Sequence, residues 1–386
     1  MLEARFMPED TLARLLEGHR VFVCAGAGGV GKTTIAAAIA LALAERGKRV
    51  LCLTIDPAKR LADSLGLGLM VSEEQLVDPQ LFATAGLDVP GSLTVLMLDT
   101  KRTFDELIAR HASSAEMRER ILTNRVYRYV STSLAGTQSY MAMEKVLSVR
   151  RDARFDAIVL DTPPTSNALD FLDAPHRLIE AIDSPAMRWL VEGFEKSGRL
   201  SLNLMARGFA LVLRGVARLT GRGFLEHVAE FVTELNQLFG GFRERAAQVA
   251  AAFHAPDIAY VLVASPAPAA IEEVAFFAAR LREQGMKAHA VITNRVHVSV
   301  PVANERAVQD VAGAHGVALG PETAARIGQA AEQERAQASA ERNELDELAR
   351  LLARDAIAVR PRVPVMAGDV HDIRGLSRVT RALNGQ

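Results

Sequence analysis

A glycine-rich stretch carries the clearest chemical signal in the sequence. Gly26-Ala-Gly-Gly-Val-Gly-Lys-Thr33 has the spacing GxxxxGK[ST] and lies between an apolar run and an alanine-rich helical pattern. Glycines at this spacing let backbone N–H groups surround a phosphate chain, and the start of the helix adds partial positive charge. Lys32 would reach the terminal phosphates, and the Thr33 hydroxyl would ligate Mg²⁺. The stretch therefore predicts a loop that binds nucleotide phosphates together with magnesium.

Two aspartates follow other apolar runs, and each has two interpretations. Asp161 ends the run Ala157 to Leu160, which suits a magnesium-supporting carboxylate but also an ordinary strand end before a turn. Asp56 follows the run Val50 to Thr54, at the sheet edge where α/β proteins gather ligands. It also precedes Pro-Ala and so suits a helix N-cap. Both roles can hold for Asp56 at once.

The elements that must position these residues alternate between apolar runs and helical patterns. Continuous apolar runs separated by helices are typical of a mostly parallel sheet covered by helices on both faces, which is an α/β fold. The expected strands are Val21–Ala25, Val50–Thr54, Ala157–Leu160, Ala259–Ala264, Ala288–Ile292 and one near Val363. The expected helices are Pro8–His19, Thr33–Arg46, Ile271–Gln284 and one or two within Glu322–Asp355.

A long segment without a convincing strand interrupts this alternation. Asp183 to Phe253 is helical in composition and too long for a connection inside a compact domain, so we interpret it as an inserted helical subdomain. The predicted organisation is a P-loop ATPase core in 1–182, a helical insertion in 183–253 that offers a client or partner surface, and the rest of the core in 254–386.

Composition indicates an ordinary globular protein. Of the 386 residues 49% are hydrophobic and 24% are charged, and the formal net charge is −1, so neither disorder nor a nucleic-acid-coating surface is expected. The two cysteines, Cys24 and Cys52, lie inside apolar runs, which argues against disulfides and against a structural zinc site. No secretory signal and no apolar stretch of about 20 residues are visible, so we expect a cytoplasmic protein without stable membrane insertion.

Three segments together resemble the ArsA and guided-entry (Get, tail-anchored protein targeting) ATPases, a branch of the deviant Walker A P-loop NTPases. Gly26 to Thr34 is similar to the family's phosphate loop, Asp56 to Asp63 to its switch I, and Asp161 to Thr165 to its switch II. Two later segments extend the likeness. Ile292 to Val296 resembles the strand end that recognises adenine, and Pro364 to Val370 resembles the segment that closes over the base.

The resemblance implies an ATPase with ATP and Mg²⁺ as cofactors and a dimer as the working unit, either a homodimer or a heterodimer with a related ATPase. Asp56 would orient the attacking water, Lys32 would act on the transferring phosphoryl group, and Thr33 and Asp161 would hold the metal. The nucleotide would be bound by Gly28, Gly29, Val30, Gly31, Lys32, Thr33, Thr34, Asn294, Pro364 and Val365.

Two departures from the family pattern matter. Ala27 stands where the family usually has a second lysine that crosses the dimer interface, and loss of that cation predicts slow hydrolysis. The charge could come from Lys59 or Arg60, although these also suit a solvated helix, or from a partner subunit that carries the lysine. The chain also lacks the family's zinc-clamp and metalloid-binding cysteines, which disfavours arsenite transport.

The predicted insertion is rich in large apolar residues, which suits either helix-on-helix packing or a surface for hydrophobic clients. They are Met187, Trp189, Leu190, Phe194, Leu204, Met205, Phe209, Leu211, Leu213 and Val216. Three functions therefore stay open. The chain could be an ATP-gated chaperone or targeting factor for hydrophobic protein segments, or a low-activity regulatory subunit of a two-component ATPase. It could also be a partitioning ATPase like ParA and MinD, which the near-neutral charge and the large insertion disfavour.

Overall fold

The computed structural model describes most of the chain. The described residues are 10–55, 60–67, 73–133, 137–162, 169–185, 222–239, 242–301, 304–355, 357, 360–366 and 368–385. The apolar residues of the predicted insertion, from Met187 to Val216, lie outside them, as do Asp56 and Lys59.

The described strands form one mostly parallel sheet. In chain order they are β1 (Val21–Gly26), β2 (Arg49–Thr54), β3 (Gln75–Leu76), β4 (Ser92–Met97), β5 (Ala157–Asp161), β6 (Ile258–Ala264), β7 (Ala288–Val296) and β8 (Arg362–Pro364). Their order across the sheet is β3-β4-β2-β5-β1-β6-β7-β8. β1 pairs in parallel with β5 and β6, β2 with β5, and β7 with β6 and β8, whereas β3 and β4 are antiparallel.

The helices alternate with the strands along the chain, as the sequence predicted for an α/β fold. The helices before β5 are α1 (Asp10–Gly18), α2 (Lys32–Glu45), α3 (Arg60–Leu65), α4 (Pro79–Thr84), α5 (Thr100–His111), α6 (Ala115–Thr123), α7 (Arg125–Ser133) and α8 (Thr137–Val149). The later ones are α9 (Leu169–Ile182), α10 (Arg222–Phe239), α11 (Phe242–Ala252), α12 (Pro268–Glu283), α13 (Glu305–Ala314), α14 (Pro321–Leu351) and α15 (Ile373–Leu383), with a short 3₁₀ helix at Ala353–Asp355.

The central strands form where the sequence is continuously apolar. Every residue of β1, β5 and β6 is buried, as expected for parallel strands with helices on both faces. The expected strands and the α/β fold are confirmed. Two strands were not predicted. β3, at one edge of the sheet, has only two residues, and the apolar run of its neighbour β4 lies in a stretch to which the sequence pattern assigned no element.

The alanines of α2 allow this helix to pack closely on the sheet. All residues from Ile35 to Ala44 are buried, and the helix packs against β2 and β5. Small alanine side chains let a helix approach a sheet closely while keeping high helix propensity. This packing fixes the first turn of α2, which carries Lys32 and Thr33.

The chain divides into two units. The first comprises 1–96, 154–168 and 256–386 and carries the sheet, and the second comprises 97–153 and 169–255 and is helical. In the second unit, buried Glu144 of α8 forms an ion pair with Arg245 of α11 at 2.6 Å. The insertion limits 183–253 stay a prediction, and the helical unit of the structure also includes 97–153 and 169–182. None of the described helices combines the length and the apolar character that crossing a membrane requires.

Candidate functional site

The glycine-rich loop joins the end of β1 to the start of α2. Gly26 and Gly31 have φ angles of 153° and 89°. A side chain at Gly26 would overlap the carbonyl oxygen of Val263, and one at Gly31 would overlap the amide of Asn294. Both positions therefore require glycine, which keeps the loop backbone close to β6 and β7.

The Lys32 side chain folds back into this loop. Lys32 is only 6% exposed, and its Nζ donates a hydrogen bond to the carbonyl oxygen of Ala27 at 2.7 Å. Burial raises the pKa of the Glu273 carboxyl on α12, and the Lys32 charge opposes that rise. A buried ammonium that is held by a loop carbonyl is positioned to meet an anion in the loop.

Thr33 and Thr54 both donate hydrogen bonds to one oxygen of Asp161. The distances to Oδ2 are 2.8 Å from the Thr33 hydroxyl and 2.9 Å from the Thr54 hydroxyl, and Asp161 is 1% exposed. The sheet register explains this meeting, because β5 lies between β1 and β2 and Asp161 is aligned with Thr54 of β2 and Cys24 of β1. A hydroxyl next to a carboxylate is a ligand set that suits Mg²⁺.

The two cysteines belong to the core beside this cluster. Cys24 and Cys52 are fully buried and free. Burial raises the pKa of both thiols, and the nearby charge of Asp161 raises it further. Neutral, inaccessible thiols act as small apolar groups, which confirms their interpretation as core residues.

The end of β7 reaches the opposite side of the loop. Asn294 is 8% exposed, and its Nδ2 donates a hydrogen bond to the carbonyl oxygen of Val30 at 2.9 Å. The next residue, Arg295, has a left-handed φ of 61°, and its Nη1 donates to the carbonyl oxygen of Gly29 at 3.1 Å. Two consecutive side chains of β7 therefore contact the glycine-rich loop.

The segment after β8 lies beside the end of β7. Pro364 is aligned with Val296, and the Val365 N–H donates to the Val296 carbonyl oxygen at 3.0 Å. Val365 is 44% exposed. An exposed apolar side chain next to the end of β7 can cover one face of a planar ring.

These parts of the first unit enclose a cavity of about 900 Å³, which is in the range of small-molecule sites. Its lining consists of Gly29, Gly31, Lys32, Thr33, Thr34, Arg60, Asp63, Ser64, Thr162, Asn294, Arg295, Pro364, Val365, Met366, Gly368, Asp369, Val370 and Val379. Loop N–H groups, a buried lysine, a hydroxyl–carboxylate pair and a side-chain amide fit the parts of Mg-ATP.

The structure brings most of the predicted site residues together. The predicted residues that line the cavity are Gly29, Gly31, Lys32, Thr33, Thr34, Asn294, Pro364 and Val365. Gly28 and Val30 belong to the same loop, and Asp161 is connected to the cavity by its hydrogen bond from Thr33. Exposed Arg60 also lines the cavity, whereas Asp56 and Lys59 lie outside the described residues. The nucleotide, metal and catalytic roles of these residues stay predictions.

Sequence reasoning missed two residues of the site. Thr54 was assigned only to a strand, although a hydroxyl that ends an otherwise apolar run two residues before Asp56 was a usable signal. Arg295 follows Asn294 directly, but its left-handed backbone has no sequence signature because arginine is not a typical left-handed residue.

The chain is similar in sequence to known ATPases. A family model described as "Anion-transporting ATPase" matches residues 19–306, well over half of the chain. ATPase GET3 of Malassezia globosa is 27% identical over 220 residues, which cover 56% of this chain and 58% of that protein. Putative arsenical pump-driving ATPase 2 of Aquifex aeolicus is 28% identical over 283 residues, which cover 72% of this chain and 80% of that protein. The match thus spans less than two thirds of the Malassezia protein.

Proposed function

Because the chain belongs to the anion-transporting ATPase (ArsA) family, we propose that it binds Mg-ATP in the cavity of the first unit and hydrolyses it to ADP and phosphate. The observation that supports this most is the 2.8 Å hydrogen bond from Thr33 to Asp161 at the base of a glycine-rich loop. Both similar proteins are ATPases by name, which supports the same activity here.

Each part of the cavity has a task in this proposal. The N–H groups of Gly28 to Thr34 hold the phosphate chain, and Lys32 exchanges its Ala27 carbonyl partner for the terminal phosphates. Thr33 and Asp161 hold Mg²⁺, which neutralises phosphate charge when bound. Asn294 hydrogen-bonds the adenine edge, and Pro364 and Val365 cover the ring.

Asp56 orients the attacking water. It directly follows Ile55, whose N–H donates to the Asp161 carbonyl oxygen at 3.3 Å, so the chain leaves β2 beside the proposed metal ligand. The role itself comes from the resemblance of Asp56 to Asp63 to switch I.

We further propose that nucleotide state changes the arrangement of a cytoplasmic dimer and that the protein handles hydrophobic protein segments. The apolar residues between Met187 and Val216 support this role, as does the resemblance to the guided-entry branch. We predict that the protein binds an apolar helical peptide of about 20 residues and that its affinity for this peptide changes with the bound nucleotide. Equal peptide affinity with ATP, with ADP and without nucleotide would contradict it.

Ala27 favours a second candidate function, a low-activity regulatory subunit that pairs with a related ATPase. Ala27 is 7% exposed, and Lys32 is the only charged residue between Gly26 and Thr34. Brisk turnover by the pure homodimer would exclude this candidate. Turnover that appears only when a lysine-bearing relative is added would favour it over the first.

Phosphate release from purified full-length protein tests the proposed activity. We expect ATP-dependent release with Mg²⁺ and none with excess EDTA. Release that is insensitive to EDTA, or absent both alone and with a related ATPase, would contradict the proposal.

A further inference from the structure

Arg295 has an unusual backbone for its residue type. Among the described residues it is the non-glycine residue with positive φ, at 61°. The left-handed region disfavours residues with a Cβ atom, and such strain is concentrated at functional sites. Glycine or asparagine would adopt this conformation more easily. The register of β7 with β8 also shifts between Thr293 and Val296, around this residue. An arginine kept at such a position directs attention to what its side chain contacts.

The side chain lies over the phosphate loop. Its Nη1 donates a hydrogen bond to the Gly29 carbonyl oxygen at 3.1 Å, and the exposed residue lines the same cavity as Lys32 and Thr33. A guanidinium has five N–H donors in a planar fork. The Gly29 contact uses one of them, so the group can hold a second acceptor from the cavity without leaving the loop.

The charge balance of the cavity indicates an anion as that acceptor. The loop itself supplies one cation, Lys32, for a ligand that carries several negative charges. Arg60 and Arg295 are the other cationic residues that line the described cavity, and Asp63 and Asp369 oppose them. Arg295 already hydrogen-bonds the loop through its guanidinium. A guanidinium group can donate two parallel hydrogen bonds to two oxygens of one phosphate.

We propose that Arg295 is a phosphate-binding residue, whose guanidinium hydrogen-bonds the phosphate chain of the nucleotide in the loop of the same chain. This inference rests on the proposed Mg-ATP site. It adds Arg295 to Lys32 as a cation that binds the phosphates, and it gives the arginine at this left-handed position a role.

Three substitutions at position 295 separate charge from backbone strain. Arg295→Asn removes the cation but accepts the left-handed backbone, Arg295→Lys keeps a point charge, and Arg295→Gly relieves the strain. Arg326→Asn, at an exposed position on α14, is the matched loss of one positive charge elsewhere. Dissociation constants for Mg-ATP, adenosine and inorganic tripolyphosphate are measured by calorimetry, together with Tm without ligand.

We expect Arg295→Asn to weaken both Mg-ATP and tripolyphosphate about tenfold, the effect of one lost charge-assisted hydrogen bond. Arg295→Lys should lie between this variant and wild type, and Arg326→Asn should match wild type. Arg295→Gly should weaken Mg-ATP equally while raising Tm by about 2 °C. A rise in stability with a loss of affinity would distinguish a binding role from a structural one.

Tripolyphosphate affinity that is unchanged in Arg295→Asn would overturn the inference. Weakened adenosine with unchanged tripolyphosphate would also overturn it, because the guanidinium would then act on the base. A wild-type protein that does not bind Mg-ATP would overturn the proposed function and this inference with it. Wild-type binding that Arg295→Asn retains in full would overturn the inference alone.

Discussion

Thr33 and Asp161 are 128 residues apart in the chain, and the Thr33 hydroxyl donates a hydrogen bond to Oδ2 of Asp161 at 2.8 Å. The contact joins the first turn of α2 to the end of β5. It depends on the parallel pairing of β5 with β1, which brings the two strand ends to one edge of the sheet. The two proposed metal ligands therefore come together because β5 lies next to β1 in the sheet.

Asp161→Asn tests the metal role. Asparagine still accepts hydrogen bonds from Thr33 and Thr54 through its oxygen, but it lacks the charge that attracts Mg²⁺. We expect turnover to fall about a hundredfold, the scale of losing one electrostatic contact to the reacting phosphoryl group, and Mg²⁺ to lose most of its effect on ATP affinity.

Calorimetry of ATP with and without Mg²⁺, together with phosphate release, checks the Asp161 prediction. Asp88→Asn is the control, since Asp88 is an exposed aspartate outside the described cavity lining. Wild-type Mg²⁺ dependence in Asp161→Asn would assign Asp161 to strand-end hydrogen bonding alone.

Asp56→Asn should separate binding from hydrolysis. If Asp56 orients water, the variant binds Mg-ATP as wild type does while turnover collapses, since the carboxylate acts on the nucleophile and not on the phosphates. Single-turnover kinetics with a parallel affinity measurement checks this. Retained turnover would leave Asp56 with the helix N-cap role that the following Pro-Ala also favours.

Sequence alone predicts the parts of the site whose chemistry has a fixed spacing. The loop from Gly26 to Thr33 requires a strand before it and a helix after it, and β1 and α2 have those positions. Asp161 was predicted to end an apolar strand, and it does. These elements could be predicted because each depends on a short stretch of sequence, in which the residue types indicate both the backbone conformation and the chemistry.

Contacts that depend on strand register could not be predicted. Thr54 meets Asp161 because β2 and β5 are neighbours with those two residues aligned, which spacing along the chain does not reveal. The pairing of Asn294 with Val30 likewise requires β7 to lie two strands from β1. The unpredicted β3 and β4 form the far edge of the sheet, away from the loop.

His289 predicts a pH effect on stability at the other end of the first unit. Burial, with His19 and Lys287 nearby, lowers its pKa to about 4. The ring contacts His19 with centroids 4.7 Å apart, and its Nδ1 accepts a hydrogen bond from the Tyr260 N–H at 3.2 Å. This hydrogen bond requires a neutral Nδ1.

An unfolded histidine has a pKa of about 6.5. Between that pH and about pH 4, His289 is therefore protonated in the unfolded chain but neutral in the folded protein. Stability should therefore be fully present above pH 6.5 and should fall as pH drops towards 4. His289→Gln should make the urea midpoint less sensitive to pH across this window, whereas His315→Gln, at an exposed position, should leave the slope unchanged. Equal slopes in wild type and His289→Gln would contradict the prediction.

The central claim, that the glycine-rich loop binds Mg-ATP, is tested most directly by calorimetric titration of wild type and Lys32→Ala with Mg-ATP. Lys32 is the buried cation of the loop, and Lys287→Ala removes an exposed lysine near the start of β7, outside the described cavity lining. We expect tight binding by wild type and by Lys287→Ala, and loss of tight binding by Lys32→Ala because the main side-chain charge on the terminal phosphates is gone. Affinity that is unchanged in Lys32→Ala, or absent in wild type, would contradict the account.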